Sequence, residues 1–176
     1  MSKNFNIAYV FLFLTVTFWA GNFIVGKYAS FYEVPPFSLN FYRWFFAWLI
    51  LAPFTLPEIF NKKKYVLKNL KLFVILGITS ITIFNSIVYY SLNFTQVISG
   101  VLMISTIPVM IIFISSILKI EKTNIFQILG VIFSFSGVIL IITKANLDIL
   151  LNLDFNKGDL TMVIAMFSWA LYSSLL

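Results

Sequence analysis

The sequence predicts an all-α membrane protein, a polytopic bundle of six transmembrane helices. The first observation is composition: 61% of the 176 residues are hydrophobic and only 10% are charged. A soluble domain has about 45–50% apolar residues and about 25% charged residues. The second is that six mostly apolar stretches each approach the roughly 20 residues needed to cross a bilayer core. The third is that every acid lies outside or at the rim of these stretches, because an isolated carboxylate in hydrocarbon is costly.

The six predicted helices cover residues 7–26, 38–56, 72–91, 99–118, 126–143 and 159–176. They are too long for barrel strands of about 9–11 residues, and they lack alternation with period two. The first follows a single Lys and is longer than the apolar core of a signal peptide, so we expect an uncleaved helix. The acids at the rims are Glu33, Glu58, Glu121, Asp148, Asp154 and Asp159.

The basic residues predict the orientation in the membrane. With the N-terminus inside, eight Lys lie in inside segments and three in outside segments, which favours a multi-pass protein of the inner membrane with a cytoplasmic N-terminus. The inside Lys are 3, 62, 63, 64, 68, 71, 119 and 122, and the outside ones are Lys27, Lys144 and Lys157. Topology thus accounts for the net charge of +6, and we expect lipid rather than nucleic acid as the partner.

The residue types that are missing exclude several kinds of site. The chain has no Cys and no His, which removes thiol catalysis, zinc sites with these ligands and any Ser-His-Asp triad. No acid lies in the middle of a predicted helix to serve as a general acid or base. We therefore expect neither an enzyme nor a cofactor.

A short repeat suggests how the helices are organised. Phe18-Trp19-Ala20 in the first helix is followed 150 positions later by Ser168-Trp169-Ala170 in the sixth. If this is not coincidence, residues 1–157 form a five-helix unit and residues 158–176 open a second copy. An odd number of spans inverts the second copy, and such repeats are typical of secondary transporters. We then expect a missing C-terminal half, or a second copy of the chain, as a partner.

Basic and glycine residues near the first two helices are candidates for a site. Arg43 lies about 8 Å into the second helix; it either extends outward to the interface or lines the outer mouth and binds an anionic group or Glu33. Lys27 is expected to be an interfacial anchor. Gly21 to Lys27 has the spacing of a phosphate loop, but Tyr28 replaces the Ser or Thr and no strand precedes it. Gly21 and Gly26 therefore suggest close packing or a bend.

Polar and aromatic residues on the other helices are further candidates for the translocation path. Thr82, Asn85 and Tyr89 recur at helical spacing and form either interhelical hydrogen bonds or a polar stripe along a cavity. Met103 and Thr106 share a face beside Pro108, which favours a kink at Ile104. Trp19 and Trp169 would face each other if the repeat is real. The rest of the predicted set is Asn22 and Tyr172 for the path, and Gly130, Ser134 and Gly137 for a small-residue packing surface.

An ordered series of short motifs resembles the EamA-like family of the drug/metabolite transporter superfamily. The motifs are residues 18–23 (Phe-Trp-Ala-Gly-Asn-Phe) with 27–29, 35–36 with 41–47, 99–108 with 118–122, 127–130 with 137–140, and 158–160 with 169–172. The resemblance implies a ten-helix inner-membrane transporter of small polar metabolites such as amino acids, working by alternating access. Four helices would be absent here, so the alternative is a non-transporting remnant or scaffold fragment.

Overall fold

The computed structural model describes residues 2–120, 124–143, 145–146 and 156–176. The predictions that concern Glu121, Lys122, Lys144, Asp148 and Asp154 fall outside these residues. The helices, in chain order, are α1 (Ser2–Phe31), α2 (Pro36–Asn61), α3 (Lys63–Lys68), α4 (Leu70–Gly77), a π-helix (Ile78–Phe84), α5 (Asn85–Ser91), α6 (Val97–Met103), a 3-10 turn (Ile104–Thr106), α7 (Ile107–Ile117), α8 (Ile125–Ile142) and α9 (Lys157–Leu175).

Every regular element in the described part of the chain is helical, which confirms the predicted all-α class. Four continuous helical stretches there are long and apolar enough to cross a membrane: Ile7–Phe31, Pro36–Asn61, Leu70–Ser91 and Val97–Ile117. The first three contain a predicted span and extend beyond it by up to five residues, and the fourth begins two residues before the predicted span 99–118 and ends one residue short of it. These stretches make the chain a multi-pass membrane protein. The basic segment after α2, predicted as a loop, contains the short helix α3.

The third long stretch (Leu70–Ser91) widens into the π-helix at its centre. Five of the seven π-helical residues are β-branched, and such residues are crowded in a regular α-helix. Three carbonyls of the segment accept hydrogen bonds from side chains: Ile81 from Asn40 on α2, Ser80 from Asn85, and Thr79 from Ser168 on α9. These bonds satisfy backbone groups that hydrocarbon would leave without partners.

The fourth long stretch (Val97–Ile117) also changes its helix type. A 3-10 turn runs from Ile104 to Thr106, and Pro108 lies in the first turn of the following helix α7. Proline has no N–H and its ring collides with the preceding turn, so the irregularity occurs at the place where the sequence predicts a kink. In contrast, α1 is continuous through Gly21 and Gly26.

Helix α9 lies at the centre of the packing although its sequence is the least apolar of the long helices. Met162, Ala165, Met166 and Ala170 on α9 are completely buried, and they pack against α5, α7 and the π-helix. Lipid tails are as apolar as leucine, so membrane helices associate through close van der Waals packing, which small residues allow. Gly100 is one such small residue: a Cβ there would lie only 2.9 Å from the side chain of Met162, so the absence of a side chain allows this close packing.

The predicted small-residue surface of α8 faces open space instead of a neighbouring helix. No described atom lies within 4 Å of a Cβ placed on Gly130 or Gly137, and Ser134 is half-buried. Close approach occurs at Gly26, where a Cβ would come within 2.8 Å of the Tyr89 ring. Gly26 is therefore a packing position between α1 and α5.

Candidate functional site

A cavity of about 540 Å³ opens among the long helices of the bundle. Side chains from α1, α2, the π-helix, the 3-10 turn and α9 form its wall, so the irregular segments of the third and fourth stretches both border it. The lining residues are Phe18, Trp19, Asn22, Phe23, Arg43, Trp44, Ser80, Ile81, Phe84, Asn85, Ile104, Ile107, Trp169 and Tyr172. A volume of a few hundred Å³ is typical of small-molecule sites.

Arg43 carries the one charge among the lining residues, and two neighbouring helices hold it in place. Its Nη1 donates hydrogen bonds to Asn22 Oδ1 on α1, at 2.5 Å, and to the hydroxyl of Tyr89 on α5. The Tyr89 hydroxyl in turn donates to Asn22 Oδ1 at 2.6 Å. The guanidinium also lies near the rings of Trp44 and Tyr89, 5.3 and 5.7 Å from their centroids. Arg43 therefore points between helices, with Asn22 and Tyr89 as its partners instead of Glu33.

A cluster of aromatic rings forms another part of the cavity wall. Trp19 and Trp169 meet edge to face with their centroids 6.1 Å apart, which confirms the contact predicted from the repeat. Trp169 also contacts Phe84 at 4.6 Å and Tyr172 at 5.1 Å. Such edge-to-face and tilted pairs are favourable and hold each ring in one orientation. The cavity therefore has a cationic side and a rigid aromatic side.

Two predicted path residues of the fourth stretch lie away from the cavity wall. Met103 is fully buried in the core, and Thr106 is buried with no hydrogen-bond partner for its hydroxyl among the described residues. Ile104 and Ile107 line the cavity in their place. The prediction assumed uniform α-helical spacing, whereas the 3-10 turn from Ile104 to Thr106 changes the direction of each side chain along this stretch.

The polar stripe predicted on the third stretch is divided between two cavities. Asn85 lines the main one, and Tyr89 lies behind its wall, where it holds Arg43. Thr82 and Ser86 instead line a second groove of about 340 Å³ beside α2, together with Phe37, Asn40, Phe41, Trp44, Phe45, Trp48 and Ile81. A π-helix has more residues per turn than an α-helix, which explains why residues predicted to share a face diverge.

Several lining residues were not predicted, although the sequence contains a signal for them. The wall residues of α1 are 18, 19, 22 and 23, and those of the third stretch are 80, 81, 84 and 85. In both cases they are two adjacent pairs one helical turn apart, the pattern of a broad face. Extending the predicted positions Trp19, Asn22 and Asn85 to their sequence neighbours would have added Phe18 and Phe84.

A polar junction joins α1, the turn after α5 and the start of α9. Lys27 Nζ donates to the carbonyls of Leu92 at 2.7 Å and Thr95 at 2.9 Å, so it caps the end of α5 and differs from the expected anchor at the interface. Thr95 Oγ1 donates to the carboxylate of Asp159 at 2.5 Å. Asp159 is only 7% exposed and lies in the first turn of α9, where the helix dipole favours a negative charge.

The cavity lining combines one charged side chain with a few polar and many aromatic ones. It has one cation, two amides, two hydroxyls and many aromatic rings, and none of its residues is a carboxylate. Within the described ranges, no three residues among His, Cys, Asp and Glu come together as metal ligands. Charged and polar groups at membrane depth are costly, so those that are present usually serve binding or transport.

Comparison with known proteins gives the family. The "Uncharacterized transporter YyaM" of Bacillus subtilis (strain 168) is 30% identical over 176 residues, which cover 98% of this chain and 56% of that protein. An "Uncharacterized transporter" of Archaeoglobus fulgidus is 28% identical over 170 residues, covering 95% of this chain and 56% of that protein. The chain thus spans a little over half the length of these curated relatives. No solved structure matches it. The model of the EamA-like transporter family matches residues 6–143, and the chain belongs to this family.

Proposed function

We propose that the protein is a secondary transporter of small polar metabolites such as amino acids, which moves its solute through the cavity around Arg43 by alternating access. One observation carries this proposal: a cation lies inside an apolar bundle, and it faces a cavity large enough for a small solute. An ionisable residue within the membrane marks a substrate path by default, because its cost is otherwise hard to explain.

In this proposal the cavity residues have distinct roles. Arg43 binds a polar group of the solute, and Asn22 and Tyr89 hold the guanidinium in position through their hydrogen bonds. Trp169 and Tyr172 provide an aromatic surface on which the solute packs. Further residues of the path are Trp19 and Asn85, which line the cavity.

Access to the cavity would change at the two irregular segments. The π-helix and the 3-10 turn both border the cavity, and both leave the regular hydrogen-bond pattern that stiffens an α-helix. Pro108, directly after the 3-10 turn, would be the pivot of the fourth stretch. Gly26 would let α1 move against α5, since it presents no Cβ to Tyr89, and Gly21 would let α1 bend.

We further propose a specific arrangement in the inner membrane. The Lys distribution supports a cytoplasmic N-terminus, with α8 and α9 as the fifth and sixth spans. The contact of Trp19 with Trp169 supports an inverted repeat that begins at residue 158. The relatives are nearly twice as long, which supports a working unit that combines these helices with a further set, either a C-terminal half or a second copy.

A counterflow experiment tests transport. The chain is reconstituted in proteoliposomes loaded with unlabelled amino acids, and uptake of each labelled amino acid is followed outside. We expect uptake above that of empty liposomes, and a loss of at least about tenfold in Arg43→Gln. Lys63→Gln on α3 removes the same charge from an exposed position and should transport normally. No uptake across the panel would favour a non-transporting membrane protein.

A further inference from the structure

We infer that the cavity recognises a carboxylate joined to a flat apolar group, so that the solute is a compact aromatic or unsaturated organic acid. This inference rests on the proposed transport function and narrows its substrate class. Three properties of the wall lead to it: the unused edge of the Arg43 guanidinium, the missing counter-charge, and the aromatic surface elsewhere on the wall.

The first property is the hydrogen bonding of Arg43. Both hydrogen bonds of the guanidinium, to Asn22 and to Tyr89, come from Nη1. No described group accepts a hydrogen bond from Nε or Nη2. These two nitrogens share one edge of the planar group, and their parallel N–H bonds match the two oxygens of a carboxylate. The fixed Nη1 thus leaves an edge that suits a planar, two-oxygen anion.

The second property is the balance of charge around the cavity. Arg43 forms no ion pair among the described residues, where the single salt bridge joins Lys62 to Glu58 on the surface. The lining contains no carboxylate that would attract an ammonium group. At low dielectric a charge that lacks a partner is expensive. A negatively charged solute would neutralise the charge of Arg43, whereas a cationic solute would be repelled by it.

The third property is the aromatic part of the cavity wall. Trp169 contacts Trp19, Phe84 and Tyr172, and these contacts restrict how the rings can turn. A ring that is already oriented presents its apolar surface without a further entropy cost on binding. A flat apolar group of the solute can therefore pack there while its carboxylate binds Arg43.

Four small probes test the inference in the chain held in lipid nanodiscs. They are phenylacetate, the neutral phenylacetamide, the cationic phenethylamine, and butyrate, which has the carboxylate but no ring. Three of the four Trp in the chain line the cavity, so their fluorescence reports binding. We expect phenylacetate to bind at least about tenfold more tightly than each of the other three.

Variants assign the selectivity to the proposed groups. Arg43→Gln should weaken phenylacetate by about tenfold or more and leave phenylacetamide within about twofold. Arg43→Lys, which keeps the charge and loses the paired edge, should fall between. Trp169→Leu should weaken phenylacetate and phenylacetamide alike, and Lys63→Gln should change the affinity of none of the probes. Each variant is compared only if it elutes as a single species with an unchanged helical circular dichroism spectrum.

The outcomes separate this inference from the proposed function. Binding with the expected selectivity, but without counterflow, would contradict transport and leave the inference in place. Counterflow of neutral or cationic solutes as fast as of phenylacetate would contradict the inference and leave transport in place. Equal affinity for phenylacetate and phenylacetamide, an unchanged affinity in Arg43→Gln, or no binding of any probe would overturn the inference.

Discussion

Replacing Gly158 with alanine should destabilise the fold more than any other Gly→Ala change in the described part of the chain. Gly158 is in the first turn of α9, where that helix meets the turn after α5. A Cβ there would lie 2.6 Å from the carbonyl oxygen of Ser91, 2.8 Å from the backbone nitrogen of Thr95 and 2.9 Å from Phe94 Cβ. Two of these are backbone atoms, which cannot turn away as the end of a side chain can.

The size of the effect follows from the shift that these contacts require. An ordinary contact begins at 3.4 Å, so α9 must move by about 0.8 Å (3.4 minus 2.6) away from Ser91. Overpacking of this kind costs about 1–3 kcal/mol. The shift also strains the bond from Thr95 to the Asp159 carboxylate, and a bond to a charged group contributes about 1.5–3 kcal/mol. The higher helix propensity of alanine returns at most about 1 kcal/mol, so we expect a net loss of about 1.5–5 kcal/mol.

The assay is unfolding in mixed micelles with increasing SDS, followed by circular dichroism. Gly21→Ala is the matched control, because no atom lies within 4 Å of a Cβ at Gly21 and the helix continues through it. Its stability should stay the same or rise by up to about 1 kcal/mol. Equal free energies of unfolding for the two variants would refute the packing of α9 against the turn that follows α5.

Three further predictions concern the cavity, the polar junction and the topology. Arg43→Gln should abolish counterflow of an amino acid that wild type transports, while Lys63→Gln retains it; equal rates would remove Arg43 from the path. Thr95→Val should lower the free energy of unfolding by about 1.5–3 kcal/mol, since it deprives the buried Asp159 carboxylate of a donor; an unchanged value in the SDS titration would show that the bond contributes nothing. Single cysteines at Asn93 and Lys63 should be labelled by an impermeant maleimide from opposite sides of the membrane; labelling from one side would contradict the proposed orientation.

The helices could be predicted from the sequence because hydrocarbon imposes a simple rule. A span needs about 20 apolar residues with its charges at the ends, and all six predicted stretches lie within or largely overlap observed helices. The helix ends are less predictable, as α1 and α2 show. Both extend past their apolar stretches, α1 to Phe31 and α2 to Asn61, because a helix can continue into the interface where hydropathy no longer indicates it.

The irregular segments were harder to predict, since tertiary contacts stabilise them. Pro108 marks the fourth stretch in the sequence, and the 3-10 turn lies beside it. No comparable residue marks the π-helix, whose carbonyls are satisfied by Asn40 and Ser168 from other helices. A pattern read along one helix cannot include those partners. Met103 and Thr106 were wrongly placed because the 3-10 turn changes the helical spacing, which a uniform pattern does not include.

The cavity was partly predictable because membrane-embedded polar and aromatic residues are few. Trp19, Arg43 and Trp169 stood out against an apolar background, and all three line it. The buried state of Asp159 was not predictable, since an acid at the rim of a span ordinarily meets water. Its burial depends on Thr95, which is 64 positions away in sequence.

The central claim is that water and small solutes reach a cavity beside Arg43 inside the bundle. The chain contains no Cys, so a single introduced thiol reports on one position. Ile104→Cys lies on the cavity wall, and Ile50→Cys lies on the outer surface of α2, 69% exposed in the bundle and facing lipid. A thiol reacts as the thiolate, which hydrocarbon disfavours. A water-soluble methanethiosulfonate should modify Ile104→Cys at least about tenfold faster than Ile50→Cys, and phenylacetate should slow that reaction. Equal reactivity at the two positions would contradict an aqueous cavity at this place.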